Sequence, residues 1–163
     1  MARYTASVET PRTRREVFTY LSDFSSTQEW DPGVHEADRL DHGPVGTGSR
    51  FRVVADFLGR RAELTYEIVE HRPDELVTLR GQNASVVSLD TMSFDATPAG
   101  GTRVTYQAEL TLKGPLRALD PLLGLAFKRV GDRAATGLRE ALAATWARHV
   151  AQSLAKRIAT KYG

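Results

Sequence analysis

Between Pro115 and Val150 the chain carries one long helical apolar period, and it follows a stretch that reads almost entirely as β-strand. Leu119, Leu123, Phe127, Val130, Ala134, Leu138 and Leu142 succeed one another in steps of three and four, which puts them on one face of a helix. Arg129, Asp132, Arg133, Arg139 and Glu140 take the opposite face. A long amphipathic helix that arrives after a sheet buries its stripe on that sheet. An α+β architecture follows, and function turns on what lies between the two layers.

The strands show themselves by alternation. Arg3 to Glu9 alternates and ends at Thr10-Pro11; Thr13 with Glu16 then has the spacing of a capping box, which opens a short helix. Val17, Phe18 and Leu21 form that helix's apolar side, Ser22-Asp23 stops it, and Ser25-Ser26 starts a second short turn ending near Trp30. Asp31-Pro32-Gly33 is turn chemistry. Six strands are then expected over residues 34–40, 49–58, 61–70, 76–83, 86–97 and 102–113, separated by short runs rich in Gly, Pro, Asp and Asn. One-face-apolar alternation with tight turns means consecutive antiparallel strands. The expected order is β-α-α-β-β-β-β-β-β-α, a seven-stranded antiparallel sheet wrapped around a long C-terminal helix. A sheet bent around one helix leaves a space beneath it wherever the short helices hold the mouth apart.

Asp120-Pro121 reads as a helix N-cap followed by Pro at the first helical position. From there to Arg148 a helix spans about 42 Å at about 1.5 Å per residue, already the width of a domain this size. We therefore expect one domain over residues 1–148 and a basic amphipathic extension over 149–163. In the segment 146–161, Trp146, Val150, Leu154 and Ile158 recur in steps of four beside Arg148, Lys156, Arg157 and Lys161, with no acidic residue. That pattern can dock on anionic lipid or a partner; the plainer reading is an extension covering the protein's own surface or a dimer contact.

Composition removes several classes of function. A net charge of +2 over 163 residues does not argue for nucleic acid. The absence of cysteine excludes disulfides, zinc-thiolate sites and thiol catalysis. The first residues lack a signal peptide's apolar run and no segment approaches a membrane span, so a cytoplasmic protein is expected. His35 and His42 belong to opposite strand faces, so no metal site is expected; the Gly43–Gly48 loop lacks Lys and precedes a strand, so it is a hairpin turn rather than a phosphate loop. No cofactor is expected.

Four segments resemble the SRPBCC or START-like superfamily, in particular its polyketide cyclase/dehydrase-like branch. They are Val17–Phe24, Trp30-Asp31-Pro32-Gly33, Gly43–Phe51 and Gly101–Tyr106, in the right order and at the right spacing from Ala2 to about Val150. The resemblance implies a helix-grip (START/Bet v 1-like) fold with an apolar cavity under the long helix. It spans carriers, sensors, cyclases and quinone-binding proteins, so function has to come from the site.

Alternation aims Phe51, Val53 and Phe57, then Leu64 and Tyr66, then Met92 and Phe94, then Tyr106 inward, with Phe127 and Val130 facing them from the helix. Counting back by two from Phe94 and Met92 brings Asp90 onto the same face. A buried carboxylate or phenol requires a polar partner, so Asp90, Tyr66 and Tyr106 are the candidates to address a ligand's polar atoms; a strand-end or bulged position would instead return Asp90 to solvent. Three functions remain open: binding of an apolar small molecule such as a lipid, polyketide or quinone; polyketide-type cyclase/aromatase activity in the same pocket; and peripheral lipid or quinone presentation through the tail.

Overall fold

The computed structural model describes the backbone of residues 1–162, and the side chains of 1–144 with those of Arg148, Ala151 and Ala155. The apolar and basic side chains singled out in the tail, Trp146, Val150, Leu154, Ile158, Lys156, Arg157 and Lys161, lie outside the described residues. Strand β1 (Ala2–Thr10) leads into helix α1 (Arg14–Ser22), a 3-10 turn (Phe24–Ser26) and helix α2 (Thr27–Trp30). Strands β2 (Val34–Arg39), β3 (Arg50–Phe57), β4 (Arg60–Arg72), β5 (Leu76–Gln82), β6 (Val86–Ala96) and β7 (Thr102–Leu112) follow, and helix α3 (Asp120–Tyr162) closes the chain. The order is the expected one.

All neighbouring strands are antiparallel, in the order β1-β7-β6-β5-β4-β3-β2. The two edge strands are therefore joined in sequence by α1 and α2, which carry the chain from one edge of the sheet to the other. Bulges between Val34 and Glu36 and between Ile68 and Glu70 interrupt the ladders on the β2 side and increase local bend and twist. The sheet curls, and α3 lies along its concave side against β1 and α2.

α1 begins as its sequence signals: the Thr13 side chain accepts from the Glu16 backbone N–H while the Glu16 carboxylate accepts from the Thr13 N–H. The start of α3 differs from its expected form. Residues 114–119 already wind as a 3-10 helix, so Asp120 is itself helical (φ −50°, ψ −40°). Its Oδ2 accepts from the Met1 amine at 2.9 Å. It ties β1 to α3 instead of capping free amides, because the preceding turn has already occupied the N-cap position. α3 then runs unbroken for 43 residues. Among the described residues no helix is long and apolar enough to cross a membrane.

Apolar side chains gather in two clusters. The larger joins Val17, Phe18 and Leu21 of α1, Phe24, Trp30, Phe51, Met92 and Phe94 to Leu138 and Leu142 of α3. The smaller joins Ala2, Leu64, Val86, Leu110 and Leu112 to Leu123 near the start of α3, with Phe57 and Phe127 packed against it. Two glycines set how closely α3 approaches its neighbours. A Cβ on Gly131 would stand 2.4 Å from the Tyr4 ring, and one on Gly137 only 1.9 Å from the Trp30 carbonyl oxygen. At Gly137 the obstacle is backbone, so α2 and α3 would have to separate. Gly137→Ala is therefore expected to lower stability by about 1–3 kcal/mol in denaturant unfolding, although Ala favours a helix interior by about 1 kcal/mol; an unchanged or raised midpoint would show that the close contact does not hold the helices together.

Candidate functional site

Between the two clusters, under the first half of α3, lies a cavity of about 330 Å³. Its walls take Phe24 and Trp30 from the short helices, Val53 and Ala55 from β3, Leu64 and Tyr66 from β4, Ser88 and Asp90 from β6, and Tyr106 and Ala108 from β7. Leu123, Phe127, Val130 and Ala134 of α3 form the roof. Leu58, in the β3–β4 turn, and Val130 are 57% and 41% exposed, which locates the mouth between that turn and α3. Along the rim the Tyr4 hydroxyl donates to Asp132 Oδ1 at 3.0 Å, and Lys128 bonds the other Asp132 oxygen at 2.9 Å.

Of the side chains that alternation aims inward, Val53, Phe57, Leu64, Tyr66, Asp90, Tyr106, Phe127 and Val130 line this cavity. Phe51, Met92 and Phe94 point to the same face but pack in the larger cluster. Phe94 meets the Phe18 ring edge-on at 5.2 Å, and Phe51 meets Phe24 at 6.3 Å. α1 plugs that end of the concave face, and the open space begins beyond it.

The polar floor is built on neighbouring strands. Asp90 is 2% exposed in the middle of β6, in regular register with Leu79 on β5 and Ala108 on β7. No bulge turns it to solvent. Its Oδ1 accepts from the Tyr106 hydroxyl at 2.5 Å and its Oδ2 from the Ser88 hydroxyl at 2.8 Å. Burial raises the Asp90 carboxyl above the usual carboxylate range, and the Tyr106, Ser88 and Tyr66 hydroxyls that bond its charged form oppose the rise. Burial and the nearby Asp90 charge push the Tyr66 and Tyr106 phenols well above their ordinary values, so both stay protonated and donate. Tyr66 has room to lie flat against β5 because its register partner is Gly81; a Cβ there would stand 2.4 Å from the Tyr66 ring.

Asp31 is the site residue that the sequence shows as turn chemistry and as part of the Trp30–Gly33 resemblance segment, without a site role. It follows α2, accepts from the Gly33 N–H at 2.8 Å, and lines the same cavity. Burial pushes its carboxyl up to about 6, the Gly33 hydrogen bond pulls the other way, and the Asp90 charge adds to the rise. Trp30, singled out in the sequence only by the resemblance and the turn it ends, and Ser88, two positions before Asp90 on the same face, are likewise wall residues. Elsewhere, His35 bonds Asp56 at 2.8 Å, and His42 is exposed in the β2–β3 connection. Among the described residues no group of three or more His, Asp or Glu is placed to hold a metal ion.

A seven-stranded antiparallel sheet curled around a long C-terminal helix, with short helices between the first two strands, is the helix-grip fold of START and Bet v 1-like proteins. The chain belongs to the polyketide cyclase/dehydrase and lipid transport family, whose model matches residues 1–143. Solved structures of similar fold include TTHA0849 from Thermus thermophilus, at 18% identity and a TM-score of 0.72, covering 88% of this chain and 98% of that one. A START superfamily protein from Mycobacterium smegmatis is 12% identical with a TM-score of 0.70, over 89% of this chain and 99% of that one. The Zhui aromatase/cyclase from Streptomyces sp. R1128 is 14% identical with a TM-score of 0.71, over 91% and 94% respectively. At these identities the likeness is one of fold. No curated protein sequence matches significantly.

Because the folded state holds the Asp31 proton up to about pH 6, while an unfolded Asp releases it near about pH 4, folding binds a proton between those values. Stability attributable to Asp31 should fall as pH rises through that window and stay low above it. Asp31→Asn keeps the acceptor for Gly33 and removes the charge. Its unfolding free energy should exceed that of the parent protein by on the order of 2 kcal/mol near pH 8 and converge with it below about pH 4. Equal stability across the range would mean that Asp31 is solvated in the folded protein.

Proposed function

We propose that the protein binds an apolar small molecule in the cavity between the sheet and α3, with Tyr66, Tyr106 and Asp90 addressing its polar atoms. The observation that carries this reading is the combination of an interior space of about 330 Å³ with a buried, hydrogen-bonded Asp90–Tyr106–Ser88 group at its floor. Sites for small molecules typically measure about 300–1,000 Å³ and combine apolar walls with a few placed polar groups. A packed core without a ligand role would gain nothing from the cost of burying that carboxylate. Phe51, Met92 and Phe94 belong to this reading as the packed support behind the wall. Membership in a family described by both cyclisation and lipid transport is consistent with an apolar ligand.

A second reading, cyclase or aromatase chemistry on a polyketide-like chain, is favoured by one observation. A carboxyl raised by burial, Asp90, lies 2.5 Å from a phenol and shares the cavity with Asp31, which titrates at about 6. Such groups can exchange protons with a bound substrate near neutral pH. Under that reading Asp90→Asn abolishes turnover of a polyketide-like chain and leaves its binding intact.

The binding reading is tested with the neutral fluorophore N-phenyl-1-naphthylamine. The parent protein should enhance its emission saturably, and Ala55→Phe, which fills the cavity from β3, should weaken binding by about tenfold or more, equivalent to about 1.4 kcal/mol, with the circular dichroism unchanged. No enhancement by the parent protein, or undiminished binding by the filled variant, would contradict it.

A further inference from the structure

We propose that the polar end of the ligand is a cation, a protonated amine or other ammonium, received by Asp31 and Asp90 and by the aromatic faces of Trp30, Tyr66 and Tyr106; this rests on the reading of the cavity as a ligand site. The charge of the lining is lopsided. Asp31 and Asp90 both face the cavity, and their bonds are to the Gly33 N–H and to the Ser88, Tyr106 and Tyr66 hydroxyls. Among the described residues neither forms an ion pair. The basic residues on the lining, Arg129 and Arg133, are exposed on α3 at the rim. Asp90, buried at the floor, and Asp31, half-buried beside it, therefore face the cavity as acids, while the two arginines stand on the exposed side of α3.

The aromatic walls point to the same chemistry. Trp30 meets Tyr106 edge to face at 6.1 Å and 77°, while Phe24 and Tyr66 are tilted by 53° at 4.8 Å. Inclined rings at one end of a cavity present π faces from several directions, and such faces attract cations. The Trp30 ring N–H is turned away from this role, donating to Ser26 Oγ at 3.4 Å.

Each ligand class then meets a different end. A carboxylate encounters like charge, and an alcohol can accept or donate a hydrogen bond but leaves an ionised aspartate uncompensated in apolar surroundings. An ammonium donates charge-assisted hydrogen bonds to the carboxylates and lies against the rings. Its apolar remainder extends under Phe127 toward the mouth beside Leu58 and Val130.

The test compares decylamine, decanol and decanoate, which share one apolar chain, by calorimetric titration at monomeric concentrations near pH 7.5. Decylamine is expected to bind about tenfold or more tightly than decanol, with decanoate weakest, which corresponds to about 1.4 kcal/mol per factor of ten. Asp31→Asn should remove most of that preference by weakening decylamine binding about tenfold without weakening decanol binding. Asp90→Asn supplies a second variant should the first be misfolded by circular dichroism. Decanol or decanoate binding as well as decylamine, or the preference surviving in both variants, overturns the cation assignment while the cavity reading stands. Binding of none of the three overturns both.

Discussion

A single helix is narrower than the concave face of the sheet that curls around it, and the interior of this protein follows from that mismatch. Seven strands spaced by about 4.8 Å make a sheet about 29 Å across, whereas a helix with its side chains measures about 10–12 Å. α3 can close against one edge or the other but cannot fill the whole face. α1 and α2 make up the difference at one end, where Phe18, Leu21 and Phe24 meet Phe51 and Phe94. At the other end, Leu123 and Phe127 reach down to Leu64, Val86 and Leu110. The two clusters do not merge except through Tyr66, which packs against both, and the cavity is the space left between them.

That arrangement explains why the polar groups are placed as they are. Asp90 lies mid-strand, so its backbone is fully paired and its carboxylate has only the cavity and its neighbours for partners. Tyr106 and Ser88 satisfy one oxygen each, and Asp31 arrives from the opposite side on the turn after α2. Fixing α2 against α3 through the contact at Gly137 thus also fixes the position of Asp31. Stability and the electrostatics of the cavity are coupled at this point: the interaction that seats the short helix brings a second carboxyl to the cavity, where the Asp90 charge adds to the rise of the Asp31 carboxyl.

The fold is legible in the sequence because the periods are clean. Period-two alternation identifies the strands and their inward faces, the capping box at Thr13 marks α1, and the apolar stripe from Leu123 to Leu142 marks α3, although Leu119, expected to begin it, lies exposed in the preceding 3-10 turn. The same alternation brings Asp90, Tyr66 and Tyr106 onto one face. What it cannot supply is depth along that face. Phe51, Met92 and Phe94 point inward as surely as Val53 and Tyr106, yet α1 and the 3-10 turn after it pack over that end; period two gives the side of a sheet and says nothing of which helix lies over each residue. Asp31 is hidden for a related reason. Asp before Pro-Gly is an ordinary turn residue, and its raised pKa arises from burial by segments distant in sequence. At Asp120 a local signature is overridden by its context, since the residues before it are already helical.

The most direct test of the central claim, that the space under α3 is where a small molecule resides, is a set of intermolecular nuclear Overhauser effects from bound N-phenyl-1-naphthylamine. The account predicts contacts to the rings of Tyr66, Tyr106 and Phe127, which all line the cavity. Contacts confined to the exposed leucines of α3, Leu122 and Leu125, with none to those three rings, would contradict it.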